Sequence, residues 1–327
     1  MAVQVLGTGG TIAAVLSDDR LRMLPVAELC AGLADDHPAI EVRDLASVSS
    51  STLRPEDLAR IAKEVVAALR AGATGVVVTH GTDTLELSAF LTDLVLGADA
   101  QLGGVVFTGA MRFASHDDPD GPRNLRDAIR LAADPVARGW GALVCFGGEV
   151  HRASEVAKWD TWSLSPFRSD HGPLRRGPPF LLPAPPPRTW EADERIEPSV
   201  GLVKAFPGMT ESVFEVLTDG MAAVVVEGFG VLNVPTNVIV AIDGAVRRGV
   251  AVVVTSRART TGGLDQGPLR HRDLHAAGAI GSYGLPADKA WVALMAGMGR
   301  TDGTIEALRD WFELVGHYAG SGADGTL

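Results

Sequence analysis

A threonine hydroxyl at position 11 closes the glycine-rich run Gly7-Thr8-Gly9-Gly10-Thr11. Alone such a hydroxyl is a weak nucleophile, and it needs a neighbouring base before it attacks a carbonyl. The glycines beside it would let bare backbone N–H groups approach a substrate, although a lone Gly-Gly-Thr is also the composition of an ordinary tight turn. A second run, Thr79-His80-Gly81-Thr82-Asp83-Thr84-Leu85-Glu86, crowds threonines, a histidine and carboxylates into a turn that must be polar at only one or two positions. Asp83 with Glu86 three residues on has the spacing of a capping box, so helix capping accounts for one carboxylate. A carboxylate beside a helix N-terminus also suits an ammonium, and the amides there can face a developing oxyanion.

These runs need elements to aim them. Val3–Leu6, Val76–Thr79, Gly104–Thr108, Ala142–Phe146, Ala222–Val226 and Val250–Thr255 are short β-branched runs that predict strands buried on both faces. Pro55–Ala71, Leu85–Leu96, Asn124–Ala133 and Asn237–Arg248 repeat apolar residues at three and four and predict helices. The alternation implies an α/β fold, an open sheet whose ligands collect beyond the carboxyl ends of its strands, where both polar runs fall. A nucleotide site is the obvious alternative, but Gly-Thr-Gly-Gly-Thr matches neither GxGxxG nor GxxxxGK[ST].

The chain's 327 residues suit about two domains. Proline and glycine dominate Gly172–Arg188, which places a break there: a larger N-terminal open-sheet domain over 1–185, a linker over 186–199 and a smaller C-terminal α/β domain over 200–327. Lysine and arginine total 29 against 40 aspartates and glutamates, a net charge of −11, the opposite of a phosphate-backbone binder. No run approaches the roughly 18 apolar residues needed to span a bilayer, and no basic segment leads into an apolar one at the N-terminus. The expectation is a cytoplasmic protein that binds neither nucleic acid nor membrane. Its two cysteines, Cys30 and Cys145, exclude a disulfide framework, and its eight histidines form no HExxH; no metal and no cofactor are expected.

Thr-Gly-Gly-Thr-Ile-Ala followed far downstream by Thr-His-Gly-Thr-Asp-Thr-Leu-Glu resembles the paired signatures of the bacterial-type L-asparaginases, amidohydrolases with a threonine nucleophile. The resemblance continues through Thr108-Gly109-Ala110-Met111-Arg112, Asp120-Gly121-Pro122, Asn124-Leu125, Val156-Ala157-Lys158, Phe167 and Ser169. Beyond the linker it takes in Pro207-Gly208, Gly228-Phe229-Gly230, Asn233 and Ser256-Arg257. It implies that Thr11 attacks the side-chain amide carbon of L-asparagine, ammonia leaves, and water hydrolyses the acyl-enzyme to L-aspartate. Thr82, Asp83 and Lys158 would handle protons and position the water; a desolvated lysine gives up its proton readily, and Asp83 can balance its charge. The N–H groups of Gly10 and Thr82 would form the oxyanion hole, and the Ala110 backbone would receive the leaving amide. Ser50 would hold the α-carboxylate and Asp83 the α-ammonium, with Ser51 beside them. Asn233 would reach a neighbouring subunit's site in a homodimer or homotetramer.

Three departures concern recognition of the substrate. The family's loop after the nucleophile carries a tyrosine over the reacting threonine, whereas the only tyrosines here are Tyr283 and Tyr318; Arg20 and Arg22 are candidates for that place. Ser51 stands where the family often has glutamine. The loop Thr260–Leu274 lacks a clear counterpart of the glutamate that some members send into a neighbouring site. Glutamine or D-asparagine are therefore alternative substrates, and a non-catalytic amino-acid sensor is the alternative of another class. The family's amidotransferase relatives carry an extra N-terminal domain, and this chain starts directly with its first strand.

Overall fold

The computed structural model describes residues 2–17, 20–31, 33, 39–177, 188–258 and 272–320. The chain forms two compact units, Met1–Asp193 and Glu194–Leu327.

In the first unit, strand β1 (Val3–Gly9) is followed by a hairpin of β2 (Ala14–Ser17) and β3 (Arg20–Met23), a short helix α1 (Val26–Cys30), and β4 (Ile40–Val48). Helix α2 (Pro55–Arg70) starts with proline at its first position, where the missing N–H costs nothing. Next come β5 (Gly75–Thr79), α3 (Leu85–Leu96), β6 (Gly104–Thr108), α4 (Gly121–Ala133), β7 (Ala142–Phe146) and β8 (Glu149–Arg152). Two short ladders complete it: β9 (Ala157–Lys158) pairs with β10 (Phe167–Arg168), and β11 (Arg175–Arg176) pairs with β8. The main sheet has seven strands in the order β11-β8-β7-β6-β5-β1-β4. From β7 to β4 the pairing is parallel, and the β8 and β11 edge is antiparallel.

Every residue of β5, β6 and β7 is buried, which explains their unbroken Val-rich runs. Val77, Val106 and Leu143 form one face and pack with Leu125 and Ile129 of α4, while α2 and α3 pack together. Strand β4 lies at the edge with Val42 and Val48 exposed, and its sequence Ile-Glu-Val-Arg-Asp-Leu-Ala-Ser-Val lacks strict alternation, so the expected set of strands omits it. All six expected strands are observed, but the first runs three residues further, to Gly9, and the one expected at Ala222–Val226 is Ala223–Gly228; the other four differ by at most one residue at either end.

Part of the stretch expected as a linker packs into the first unit. The Arg188 guanidinium donates to Asp93 Oδ1 at 2.6 Å and to the Trp140 carbonyl at 2.7 Å, and Trp190 Nε1 donates to the Leu94 carbonyl at 2.9 Å. Residues 178–187, which include the expected end of the first domain, lie outside the described ones.

The second unit is built on a four-stranded parallel sheet, β12 (Val200–Lys204), β13 (Ala223–Gly228), β14 (Ala251–Ser256) and β15 (Ile280–Gly281), in that order. Among the described residues five helices join and flank it: α5 (Glu211–Thr218), α6 (Thr236–Arg247), α7 (Arg272–Ala276), α8 (Ala287–Arg300) and α9 (Ile305–Gly320). Phe214, Val224, Val226, Val238, Ile242 and Val252 make its core. The protein is thus an α/β fold with a larger N-terminal and a smaller C-terminal unit. Among the described residues no helix is long and apolar enough to cross a membrane, and no group of three His, Cys, Asp or Glu could hold a metal.

Candidate active site

Three loops leave the adjacent strands β5, β1 and β4 at their carboxyl ends and press against one another. Gly9 and Gly10 take φ of +94° and +79°, conformations that L side chains rarely adopt. A Cβ at Gly9 would stand 2.6 Å from the Val48 nitrogen, and one at Gly10 would run into the Gly81 backbone. Gly81 in turn has no room for a side chain, since a Cβ there would lie 2.6 Å from Ser50 Oγ. Glycine at these positions is what lets the turn carrying Thr11 reach the loop carrying Thr82. The Gly10 N–H donates to the Val48 carbonyl at 3.0 Å, and Thr8 Oγ1 donates to the Thr79 carbonyl at 2.9 Å.

Lys158 arrives from the β9–β10 ladder. Its Nζ donates to Thr82 Oγ1 at 2.8 Å and to Asp83 Oδ1 at 2.7 Å. Thr82 is 6% exposed and the lysine side chain 18%, so this ammonium is held at the mouth of a largely desolvated hydroxyl. Because the ammonium occupies one lone pair of Thr82 Oγ1, the threonine's own proton is available to another acceptor. Asp83 does not act as half of a capping box. Thr84 is the N-cap of α3 without a side-chain cap bond, and its hydroxyl donates instead to the Ser50 carbonyl at 3.0 Å. The carboxylate goes to the lysine because the ion pair is the stronger, charge-assisted bond.

His80 supports this turn from beneath. It is fully buried, its Nδ1 donates to the Gly81 carbonyl at 2.8 Å, and its Nε2 accepts from Ser88 Oγ at 2.9 Å. Burial lowers its pKa to about 4, against the opposing pull of the Gly81 carbonyl, so the ring is neutral at physiological pH. Next to it, the loop after β6 is tied down by two side chains. Asp120 accepts from the N–H groups of Met111 and Arg112, each at 2.9 Å. Asn124 donates to the Gly109 carbonyl at 3.0 Å and accepts from the Gly147 N–H at 3.1 Å.

A pocket of about 280 Å³ opens between these loops. Gly10, Thr11, Ser50, Thr82, Asp83 and Lys158 all line it, so one cavity gathers six of the residues singled out by sequence. Ala110 is buried, with its neighbour Met111 on the wall. Ser51 is not on the wall; its hydroxyl meets Ser49 Oγ at 3.0 Å, and Ser49 lines the pocket in its place. Asn233 belongs to the second unit, where its backbone bridges to Phe229. The loop Thr260–Leu274 lies mostly outside the described residues.

Sequence reasoning missed the apolar wall. Leu21 and Met23 of β3 line the pocket together with Met111 and Phe113. Alternation along a strand turns Arg20 and Arg22 the other way, so neither candidate takes the tyrosine's place over Thr11. The alternation in Arg-Leu-Arg-Met was the available signal, but four residues are too few to separate a strand from a loop.

Comparison with known proteins matches residues 2–177 to the asparaginase N-terminal domain family and residues 199–312 to the glutaminase/asparaginase C-terminal domain family. The chain belongs to the asparaginase family. A glutamyl-tRNA(Gln) amidotransferase subunit of Pyrococcus abyssi is 32% identical, the match covering 97% of this chain and 76% of that protein. The same amidotransferase subunit of Thermococcus kodakarensis is 31% identical over 98% of this chain and 76% of its own. Among solved structures, a probable cytoplasmic L-asparaginase of Campylobacter jejuni superposes with a TM-score of 0.83 at 25% identity, covering 95% of this chain and 99% of the other. The thermostable L-asparaginase of Thermococcus kodakarensis gives 0.80 at 26% identity, with 97% and 98% covered.

Proposed function

We propose that the chain is an amidohydrolase that converts L-asparagine to L-aspartate and ammonia. Thr11 Oγ1 attacks the side-chain carboxamide carbon, the Thr82 N–H receives the oxyanion, the Gly10 N–H expected beside it being bonded to the Val48 carbonyl at 3.0 Å, and the amide nitrogen leaves as ammonia past the Ala110 backbone. Water then cleaves the acyl-threonine. Lys158 accepts as the free amine: the Thr11 proton passes to the Thr82 hydroxyl as that hydroxyl gives its own to Nζ. The ammonium so formed, balanced by Asp83, returns a proton to the leaving nitrogen, and the attacking water repeats the relay with the proton going back to Thr11. Ser50 binds the α-carboxylate and Asp83 the α-ammonium. The reading needs no metal or cofactor. Asn233 serves a neighbouring subunit's site in a homodimer or homotetramer, and the protein works in the cytoplasm.

The observation that carries this reading is the pair of hydrogen bonds from Lys158 Nζ to Thr82 and Asp83, on the wall of the pocket that Thr11 also lines. A nucleophile without a base would be inert. The names of the amidotransferase relatives favour a second reading, in which glutamine is the amide and its nitrogen is passed on rather than released. Ammonia measured from purified protein with L-asparagine, L-glutamine and D-asparagine separates them. The first reading expects L-asparagine to be turned over fastest, and preference for L-glutamine would favour the second. Ligand binding by calorimetry without ammonia from any amide would leave a sensor.

A further inference from the structure

The first unit holds another, larger cavity of about 450 Å³, which the amide reaction does not use. That volume lies within the roughly 300–1,000 Å³ of small-molecule sites. Its polar wall comprises Glu149, His151, Ser165, Arg168, Ser169 and Arg176. Glu149 and His151 are two residues apart on β8 and so share a face. Arg176 stands opposite Glu149 in the β8–β11 register, with its guanidinium 2.5 Å from Glu149 Oε1, and Ser165 Oγ donates to Glu149 Oε2 at 3.3 Å.

His151 is 1% exposed. Its Nε2 stands 3.4 Å from Glu149 Oε2, longer than a well-formed N–H···O bond, and its Nδ1 is 3.0 Å from Ser169 Oγ. Burial pushes the imidazole pKa down, so the ring is neutral. The carboxylate facing Nε2 favours the proton on that nitrogen, and Nδ1 then accepts from the Ser169 hydroxyl. In that tautomer the lone pairs of Ser169 Oγ are available to a donor in the cavity. Arg168, whose guanidinium lies 5.8 Å over the Trp159 ring, is on the same wall.

We propose that this cavity is a second ligand site, for a small carboxylate that also carries a hydroxyl or an ammonium, and that its occupancy is transmitted to Lys158. The guanidinium forks of Arg168 and Arg176 match a carboxylate, while Ser169 Oγ and Glu149 accept from the ligand's donor. The route to the lysine is the β9–β10 ladder: Phe167, also on the cavity wall, pairs with Lys158, and Arg168 pairs with Ala157. A ligand that fixes Arg168 therefore fixes the strand opposite the one that aims the ammonium at Thr82.

The proposal goes beyond the amidase reading and is tested without turnover. Titration calorimetry would use L-malate, which carries the hydroxyl, and succinate, which lacks it, on the whole chain and on Arg168→Ala, Ser169→Ala and Ser50→Ala variants of unchanged unfolding midpoint. L-malate should bind about tenfold tighter than succinate, Arg168→Ala should weaken it at least about tenfold, and Ser169→Ala should erase the preference for malate. Ser50→Ala, in the threonine pocket, should leave this binding intact. Hydrogen exchange at the amides of residues 157–159 and 167–168 should slow with L-malate in the native chain and not in Arg168→Ala. Malate binding that ignores Arg168→Ala or disappears in Ser50→Ala would overturn the site, and unchanged exchange would overturn its link to Lys158.

Discussion

At the scale of single residues, Lys158 does what its neighbours permit: one ammonium donates to the Thr82 hydroxyl and to the Asp83 carboxylate within 2.8 Å. Lys158→Met keeps the length of the side chain and removes the proposed proton carrier. Its kcat should fall by a factor of about 10² to 10⁴, the range of a general acid–base group, with the unfolding midpoint nearly unchanged; a near-native rate in an ammonia assay would make the lysine structural. His80 leads to a pH effect on stability. Its pKa is about 4 in the fold against an ordinary value of 6.5, so below pH 6.5 the unfolded chain binds a proton that the native chain refuses. His80 should therefore contribute stability that is complete above about pH 6.5 and lost as pH falls toward 4, at up to ~1.4 kcal/mol per pH unit. Denaturant titrations of the native chain and of His80→Gln across that interval should show the slope in the first and a weaker slope in the second.

At the scale of elements, the site is a set of loop tips at one sheet edge, held in register by polar side chains beneath them. Asn124 is the clearest of these, because one amide from α4 bonds the loops after β6 and β7 at once. Asn124→Ala leaves the buried Gly109 carbonyl unpaired, at a cost of about 1–3 kcal/mol, and frees the Gly147 N–H to solvent; it should lower the unfolding midpoint and kcat together. Arg188→Met should cost more, about 3–5 kcal/mol, since it removes the guanidinium that balances the charge of the buried Asp93 carboxylate, and chemical denaturation would read it directly. The sequence shows the Thr11 turn and the Thr82 turn plainly because each is a contiguous polar run behind a buried apolar strand. Lys158 is legible only through its resemblance to a family, since a lone lysine carries no local signature. Leu21 and Met23 escape because a four-residue alternation is too short to read, Ser49 and Phe113 because they sit in loops without a period, and β4 because an exposed edge strand need not alternate. Asp83 misleads, as capping and ion pairing demand the same residue at the same spacing.

At the scale of the whole molecule, two α/β units each have their own core, and the reaction proposed for the chain is assembled on the first. The net charge of −11 fits a small-molecule substrate better than a nucleic-acid partner. Asn233 lies in the second unit, so its proposed service to a neighbouring subunit is a property of the assembly. Asn233→Ala should raise KM without altering kcat much if the residue binds substrate across subunits, and sedimentation of the same variant would show whether assembly itself changed. The most direct measurement remains ammonia release from L-asparagine by the native chain and by Thr11→Val, which keeps the shape of the side chain and removes its hydroxyl. The account predicts steady release by the first and none above background by the second, with equal unfolding midpoints; a Thr11→Val protein that still releases ammonia at the native rate would contradict it.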